Sequence, residues 1–399
     1  MFSQWNLRGN PFDTSPISLG TLDWFIGRKA EVDLCRRLVA QQGVIVVEGG
    51  IGAGTTSFGN MVRFGADIRS PRMEIAVYSA WNAQTLLENV LAAVVREVWR
   101  DPASHRSSTI RELHALVQRV EHSVPGGGLT IMGTGASAGR NLAVTQPSII
   151  PLETLRTGLL SLAEKYSPAD GSTAFAIQLN NLDLNRTFSP EQLGRFLNEI
   201  RDSLQLPGFS WLLVGDTGLS HFITSEVPRV RSIVSHDVQI APLPDTEFLK
   251  VVRTRISACS LENEEGANPF HESLLLRIYN AAAGSLRDTF NICTKLCLAV
   301  AKSPLYETIP EQEAERILGE LQAPRLRKAG EKPLQYAALQ EIGNSPGITQ
   351  KDLVKTLGKQ QPAVSRALKL LLKADLIRSE KDGTATHYRL SPEICFALK

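Results

Sequence analysis

Residues Gly43 to Ser57 read GVIVVEGGIGAGTTS, and the fold follows from how this stretch is read. Val44 to Val47 is a continuous apolar run rich in β-branched residues and bounded by glycine, the pattern of a strand buried on both faces. Gly49, Gly50, Gly52 and Gly54 come next, and Thr55, Thr56 and Ser57 then open an apolar segment. Strand, glycine loop and helix in that order form a phosphate-binding P-loop, whose backbone N–H groups and helix N-terminus face the anion. The pattern G-x-x-x-x-G-K-[ST] is met from Gly49 through Ile51 and Ala53 to Thr56, except that Thr55 stands where lysine is required.

The 399 residues, 43% of them hydrophobic, suffice for a large core and two or three domains. Pro11, Asp13 and Pro16 occupy the place of a signal peptide's apolar core. No later run approaches the roughly 18 apolar residues of a membrane span. The expectation is a soluble, cytoplasmic chain. The cysteines at 35, 259, 293, 297 and 395 show no C-x-x-C spacing, so core packing is expected of them over metal binding. Net charge is +2, but from Arg325 to Lys399 there are 14 Lys and Arg against 7 Asp and Glu, which leaves −5 for the rest. A basic C-terminal end suits a nucleic-acid-binding module on a neutral engine, with a solvated basic surface as the alternative.

Residues 1–24 read as an irregular arm packed on the first domain. Val32, Cys35, Leu38 and Val39 mark a helix over 30–40, a helix follows Thr55, and 73–78 reads as a strand. Strands and helices alternate, as in an α/β sheet, with helices over 86–99, 110–120, 152–166 and 191–204 and strands at 174–179 and 211–214. Between them, 123–146 carries Gly126, Gly127, Gly128, Gly133, Gly135 and Gly139, which suits an inserted hairpin or a loop. After Pro242 and Pro244 only helical periodicity remains, giving an all-α domain over 244–323. A basic, proline-bracketed linker is expected over 324–333. Helices over 334–342, 351–357 and 362–373, then a hairpin around Asp382-Gly383, predict a winged helix over 334–399. Thr349 three residues before Asp352 marks a helix start.

These motifs, in this order, resemble the AAA+ superfamily, and within it the initiator clade of origin-recognition ATPases. Phe25-Ile26-Gly27-Arg28 is similar to the segment that packs around adenine there, which assigns Ile26 and Arg28 to the nucleotide. Gly49 to Thr56, with Ser57, resembles Walker A. Ala174 to Asn181 resembles Walker B, and Gly215-Asp216-Thr217 resembles sensor 1. Pro228-Arg229-Val230-Arg231 resembles the arginine-bearing segment before the helical lid. Gly284-Ser285-Leu286-Arg287-Asp288 resembles sensor 2, with Arg287 in the sensor position. The resemblance implies an AAA+ domain over 1–243, a helical lid, a winged helix, ATP or ADP as ligand, Mg²⁺ on Thr56, and a homo- or hetero-oligomer. Arg287 is then expected on phosphate in cis and Arg229 or Arg231 on a neighbouring subunit's nucleotide. Surface ion pairing is the alternative for all three.

The chemistry departs from that pattern at the charges. A unit charge about 4 Å away is worth about 4 kcal/mol at an effective dielectric of about 20, so losing the lysine weakens nucleotide binding by up to roughly three orders of magnitude. Asn180 and Asn181 stand where Walker B carries the aspartate and glutamate that hold Mg²⁺ and polarise water. Asparagine supplies neither negative charge nor a base. Asp183 and Asp216 are the remaining acidic candidates. A degenerate site with weakened Mg²⁺ binding is therefore expected.

For duplex DNA, Gln360, Gln361, Ser365, Arg366 and Lys369 lie in or before the third helix of the winged helix, on the side that enters a major groove. Lys381, Thr384, His387 and Arg389 fall on the wing. Leu368, Leu371, Leu372 and Leu376 read as core. The sequence thus predicts a DNA-binding assembly or targeting factor with a pseudo-ATPase site. A slow ATPase switch using Arg287 and Asp183, and a signal-responsive transcription regulator, remain open.

Overall fold

The computed structural model describes residues 2–65, 68–123, 150–184, 186–261, 266–301, 307–382 and 385–398, without the side chains of 120–123 and 380–382. The glycine-rich stretch 124–146 and Thr384 lie outside the described residues. The chain divides into two units, Ser15–Ala241, and Met1–Thr14 together with Pro242–Lys399.

In the first unit, α1 (Lys29–Ala40) leads into β1 (Val44–Gly49), the P-loop and α2 (Thr55–Phe64). β2 (Ile75–Ala76), α3 (Ala83–Trp99), α4 (Ser108–Ser123), α5 (Leu152–Tyr166) and β3 (Phe175–Asn180) follow. α6 (Pro190–Ile200), β4 (Phe209–Gly215), α7 (Leu219–Glu226), α8 (Pro228–Arg231) and β5 (Val234–Ile240) complete it. The strands form a parallel sheet in the order β2-β3-β4-β1-β5.

Side-chain alternation divides the strands between two cores. Val44, Val46, Ile177, Trp211 and Leu213 face one cluster with α3, α5 and α6, while Ile45, Val47, Ala176, Leu212 and Val214 face another with α1 and α2. Both faces are covered, which is why the central strands read as unbroken apolar runs. α6 shows the local logic: Ser189 Oγ accepts the Gln192 N–H, the Gln192 side chain accepts the Ser189 N–H, and Pro190 takes the first turn.

Two strands differ from the sequence reading. The strand expected over 73–78 shrinks to Ile75–Ala76. β5, which the sequence reading lacks, lies at the sheet edge and is largely part-exposed, so its apolar signal is diluted.

The second unit holds α9 (Asp245–Cys259), α10 (Glu272–Ala281), α11 (Leu286–Val300) and α12 (Glu311–Gly330), followed by α13 (Pro333–Asn344), β6 (Ile348–Thr349), α14 (Gln350–Leu357), α15 (Gln361–Lys373), β7 (Ile377–Asp382), β8 (Ala385–Leu390) and α16 (Ile394–Ala397). β6, β8 and β7 form an antiparallel sheet, with Asp382 paired to Ala385 across the hairpin. Thr349 Oγ1 accepts the Asp352 N–H at the start of α14, as its spacing implies.

Two expectations are corrected here. The first fourteen residues belong to this helical unit and not to the sheet domain. Trp5, Leu7 and Phe12 are buried, Arg8 N–H bonds the Cys259 carbonyl, and the Phe12 ring packs on Phe270 and Phe290. Nor is 324–333 an irregular linker, because α12 continues through Pro324 to Gly330. A helix-interior proline costs about 3 kcal/mol. Burial of Ala314, Ile317 and Leu318 on one side of it, and of Ala329 in the winged-helix core on the other, offsets that cost.

Candidate functional site

The P-loop lies where β1 gives way to α2, at the carboxyl end of the parallel sheet. Gly49 ends β1 against β5, and a Cβ there would meet the Ile240 carbonyl oxygen at 2.8 Å, so no larger residue fits. Gly50, Ile51, Gly52 and Ala53 form the turn, closed by the Ala53 N–H on the Gly50 carbonyl. Gly54, at φ +97°, is the N-cap of α2 in a conformation that favours glycine. Thr55, Thr56 and Ser57 are then the first helical residues. Their N–H groups belong to the first turn, which has no intrahelical acceptors and attracts anions. Sequence and structure agree on the order of strand, glycine loop and helix.

The side chains around it are committed in ways the sequence does not reveal. Ser57 Oγ accepts the Ile17 N–H, and the Asn60 amide donates to the Ile17 carbonyl, so the segment after residue 15 is tied to α2. The Arg28 guanidinium donates to the Ala241 carbonyl from a residue at φ +55°, and Ile26 is half-buried beside Phe25, whose ring lies 6.5 Å from that of Phe58 on α2. Ser57 and Arg28, both expected on nucleotide, thus each serve a backbone contact.

At the Walker B position, β3 ends in a chain of amides. Gln178 and Asn180 sit on the same face of the strand, towards α2, and are 2% and 6% exposed. Gln178 Nε2 donates to the Thr56 carbonyl at 3.3 Å and to Asn180 Oδ1 at 3.0 Å, and Asn180 Nδ2 donates to Thr56 Oγ1 at 3.3 Å. The Thr56 carbonyl can only accept, which fixes the Gln178 amide, and the Gln178 donor in turn fixes Asn180. Gln178 Oε1 is buried without a hydrogen-bond partner among the described residues and lies over Gly59, where a Cβ would approach it to 2.6 Å.

Asn181 follows at φ +68°, a left-handed conformation asparagine tolerates. Asp183 is 3.9 Å from Arg186, and Asp216 Oδ1 accepts the Leu184 N–H at 3.0 Å. Burial pushes the Asp216 carboxyl up to about 6, nearby Asp183 adds to the rise, and the Leu184 N–H opposes it. Asp216 titrates near 3.9 in the unfolded chain, so as pH rises from about 4 to about 6 the folded state keeps a proton that the unfolded state releases. Its contribution to stability is therefore full below pH 4 and gone above pH 6. Thermal unfolding of Asp216→Asn should show a gain over wild type of about 1 kcal/mol at pH 8, with part-exposure screening included, narrowing towards pH 4.

Two residues at this end of the sheet escape the sequence reading, Gln178 and Glu48. Glu48, 9% exposed on β1, accepts the N–H groups of Gly218 at 3.1 Å and Ser220 at 2.8 Å, and so holds the start of α7. A polar residue inside an apolar strand is the signal that marks each of them.

The arginines separate. Arg229 and Arg231 are exposed on α8; Arg231 is bonded to Asp237 at 2.5 Å, while no ion pair of Arg229 exists among the described residues. Arg287 is exposed in the first turn of α11, in the second unit, where Ser285 Oγ caps the helix through the Asp288 N–H. Asp288 itself is paired with Arg378 of β7. Cys293 and Cys297, on the same helix, are buried in its core, as expected.

In the winged helix, Val364, Ala367, Leu368 and Leu371 of α15 are buried, with Leu376 beyond it, and Leu372 packs at the edge. Gln360, Gln361, Arg366 and Lys369 are exposed on the opposite side and Ser365 is half-exposed, as the helical period requires. Lys351, Lys355, Lys359 and Lys373 are exposed on α14, α15 and the turn between them. On β8 Arg389 is exposed, but His387 is half-buried, paired with Thr349, and its Nδ1 donates to the Gly347 carbonyl at 2.7 Å. His387 is therefore a sheet residue as much as a wing residue. Lys381 lies on β7.

Among the described residues, no helix is long and apolar enough to cross a membrane, and no cluster of three or more His, Cys, Asp or Glu could hold a metal ion.

Residues 330–385 match the family model described as MarR family. No curated protein matches the chain. Among solved structures, the Aeropyrum pernix ORC2 protein, in its ADPNP–ADP complexes, aligns over 97% of this chain and 96% of its own, at 14% identity and a TM-score of 0.50. The Aeropyrum pernix ORC1 protein in complex with DNA aligns over 99% and 96% at 12% identity and 0.47. A Walker-type ATPase of Pyrococcus abyssi aligns over 97% and 99% at 14% identity and 0.48. The chain thus shares the fold of the Aeropyrum pernix ORC2 protein, a parallel sheet unit followed by helices, with a MarR-type winged helix at its C-terminal end.

Proposed function

We propose that this chain is a duplex-DNA-binding protein on an AAA+ initiator fold, in which the P-loop survives as a nucleotide cradle without the groups for hydrolysis. The observation that carries this reading is the exposed face of α15, where Gln360, Gln361, Arg366 and Lys369 stand clear of a leucine core within a C-terminal segment of charge +7. Such a face reads base edges through glutamine and arginine and holds phosphates through lysine. The Aeropyrum pernix ORC2 structure, with its adenine nucleotides, supports a nucleotide-binding cradle in this fold. Thr55, Asn180 and Asn181 remove three charges that phosphoryl transfer needs, so binding survives better than turnover. The protein acts as an assembly or targeting factor, with Arg229 available to a neighbouring subunit.

The test pairs two measurements. Binding of the full chain to labelled duplex DNA is expected to weaken linearly in log–log coordinates with salt. ATP turnover is expected to equal that of a Thr56→Ala variant. Salt-independent binding would remove the DNA reading, and turnover above the variant would make the chain a slow ATPase switch.

A further inference from the structure

The polarity of the Thr56 hydroxyl departs from what a divalent cation requires. A metal-ligating threonine gives its proton to an acceptor and offers a lone pair to the cation, which is why a carboxylate belongs at position 180. Here the group facing Thr56 Oγ1 is the Asn180 amide nitrogen, a donor, at 3.3 Å. It cannot be turned around. Reversing Asn180 would put its nitrogen against Gln178 Nε2, and reversing Gln178 as well would put Oε1 against the Thr56 carbonyl, two acceptors face to face. Both amides are buried, so water does not relieve such a clash.

With one of its two lone pairs taken by Asn180 and no acceptor at position 180 for its proton, the Thr56 hydroxyl retains a proton to give, and it stands in the first turn of α2 beside the N–H groups of the P-loop. P-loop N–H groups beside a hydroxyl whose proton has no acceptor at position 180 disfavour a cation and complement an anion. The residues present do not fit Mg²⁺.

We propose that Thr56 meets its ligand as a hydrogen-bond donor, and that the pocket takes an adenine nucleotide with no contribution from a divalent cation. This rests on the reading of the P-loop as a nucleotide cradle. Asn180 is then a positioning residue that sets the direction of the Thr56 hydroxyl, with Gln178 behind it.

Calorimetric titration of the full chain with ADP, in excess Mg²⁺ and again in EDTA, tests it. The dissociation constants are expected to agree within about twofold. Asn180→Asp, which restores an acceptor, should make ADP binding at least about tenfold tighter with Mg²⁺ than with EDTA. Thr56→Val should weaken binding equally in both buffers, and Thr56→Ser should not. Wild-type affinity that rises tenfold with Mg²⁺ overturns the proposal while leaving the nucleotide cradle intact. Loss of the Mg²⁺ response in a folded Asn180→Asp variant overturns the role of the amide. ADP binding in neither buffer overturns both the proposal and the cradle.

Discussion

Replacing Arg366, Lys369 and Arg389 together with alanine lowers the affinity for duplex DNA by on the order of 10²–10⁴ near physiological salt. An arginine that reaches a base edge is worth about 1–3 kcal/mol, and each phosphate contact adds roughly one unit to the salt slope. Loss of the phosphate contact of Lys369 therefore flattens the slope by about one unit, while loss of the arginines weakens binding. All three side chains are exposed, and Arg366 and Lys369 have no ion-pair partner among the described residues. The variant should accordingly unfold within about 0.5 kcal/mol of wild type. Arg378 makes the internal comparison. It faces Arg389 across the hairpin but is held by Asp288, so Arg378→Ala should cost less than Arg389→Ala. A salt titration of a labelled duplex reads both affinity and slope; unchanged values for the triple variant would remove the winged helix as the DNA-binding face.

Arg63→Met destabilises the sheet domain by about 3–5 kcal/mol, the range for removing one partner from a buried charged network. The Arg63 side chain is 0% exposed. Its guanidinium donates to Asn60 Oδ1 at 2.8 and 3.0 Å, to Ser70 Oγ at 3.1 Å, and to the Pro71 and Arg72 carbonyls, with Glu74 at 3.6 Å. Ser70 Oγ continues to the Ala176 carbonyl on β3, so one side chain joins α2, the strand beneath it and the chain that follows. Burial lowers Arg63 to about 10, which leaves it charged at any physiological pH. Methionine fills much of the volume but leaves those acceptors unpaired in the interior. For a domain of this size the midpoint should fall by on the order of 10 °C. Glu74→Gln, at a part-exposed and longer contact, should cost under about 1 kcal/mol. Calorimetric melting of both variants checks the pair, and a Glu74→Gln loss equal to that of Arg63→Met would contradict the ranking.

Arg63 also shows where sequence reading stops. Phe58, Met61, Val62 and Phe64 announce α2 by their spacing, and nothing local distinguishes Arg63 from an exposed arginine, because its partners other than Asn60 come from the loop that follows. The same holds for Ser57, whose spacing marks a phosphate site while its hydroxyl accepts from Ile17 forty residues earlier. Pro324 misleads in the opposite way. Its local rule says break, and packing on both sides keeps the helix whole.

By itself, the sequence determined the P-loop, the alternation of strand and helix, the winged helix and the uncharged residues at 55, 180 and 181, because each is written in residue type and short-range spacing. Only the tertiary structure decided where the first fourteen residues belong, that β5 closes the sheet edge, and that His387 is engaged within its own sheet. It also decided the reading of the opening stretch. Thr56 is legible as the threonine of a P-loop, but the direction of its hydroxyl depends on Gln178 and Asn180, more than a hundred residues away and brought beneath it only by the sheet. Hydrogen-bond polarity belongs to the pair of partners, and in this protein the chain supplies those partners from a helix and a strand that meet only when it folds.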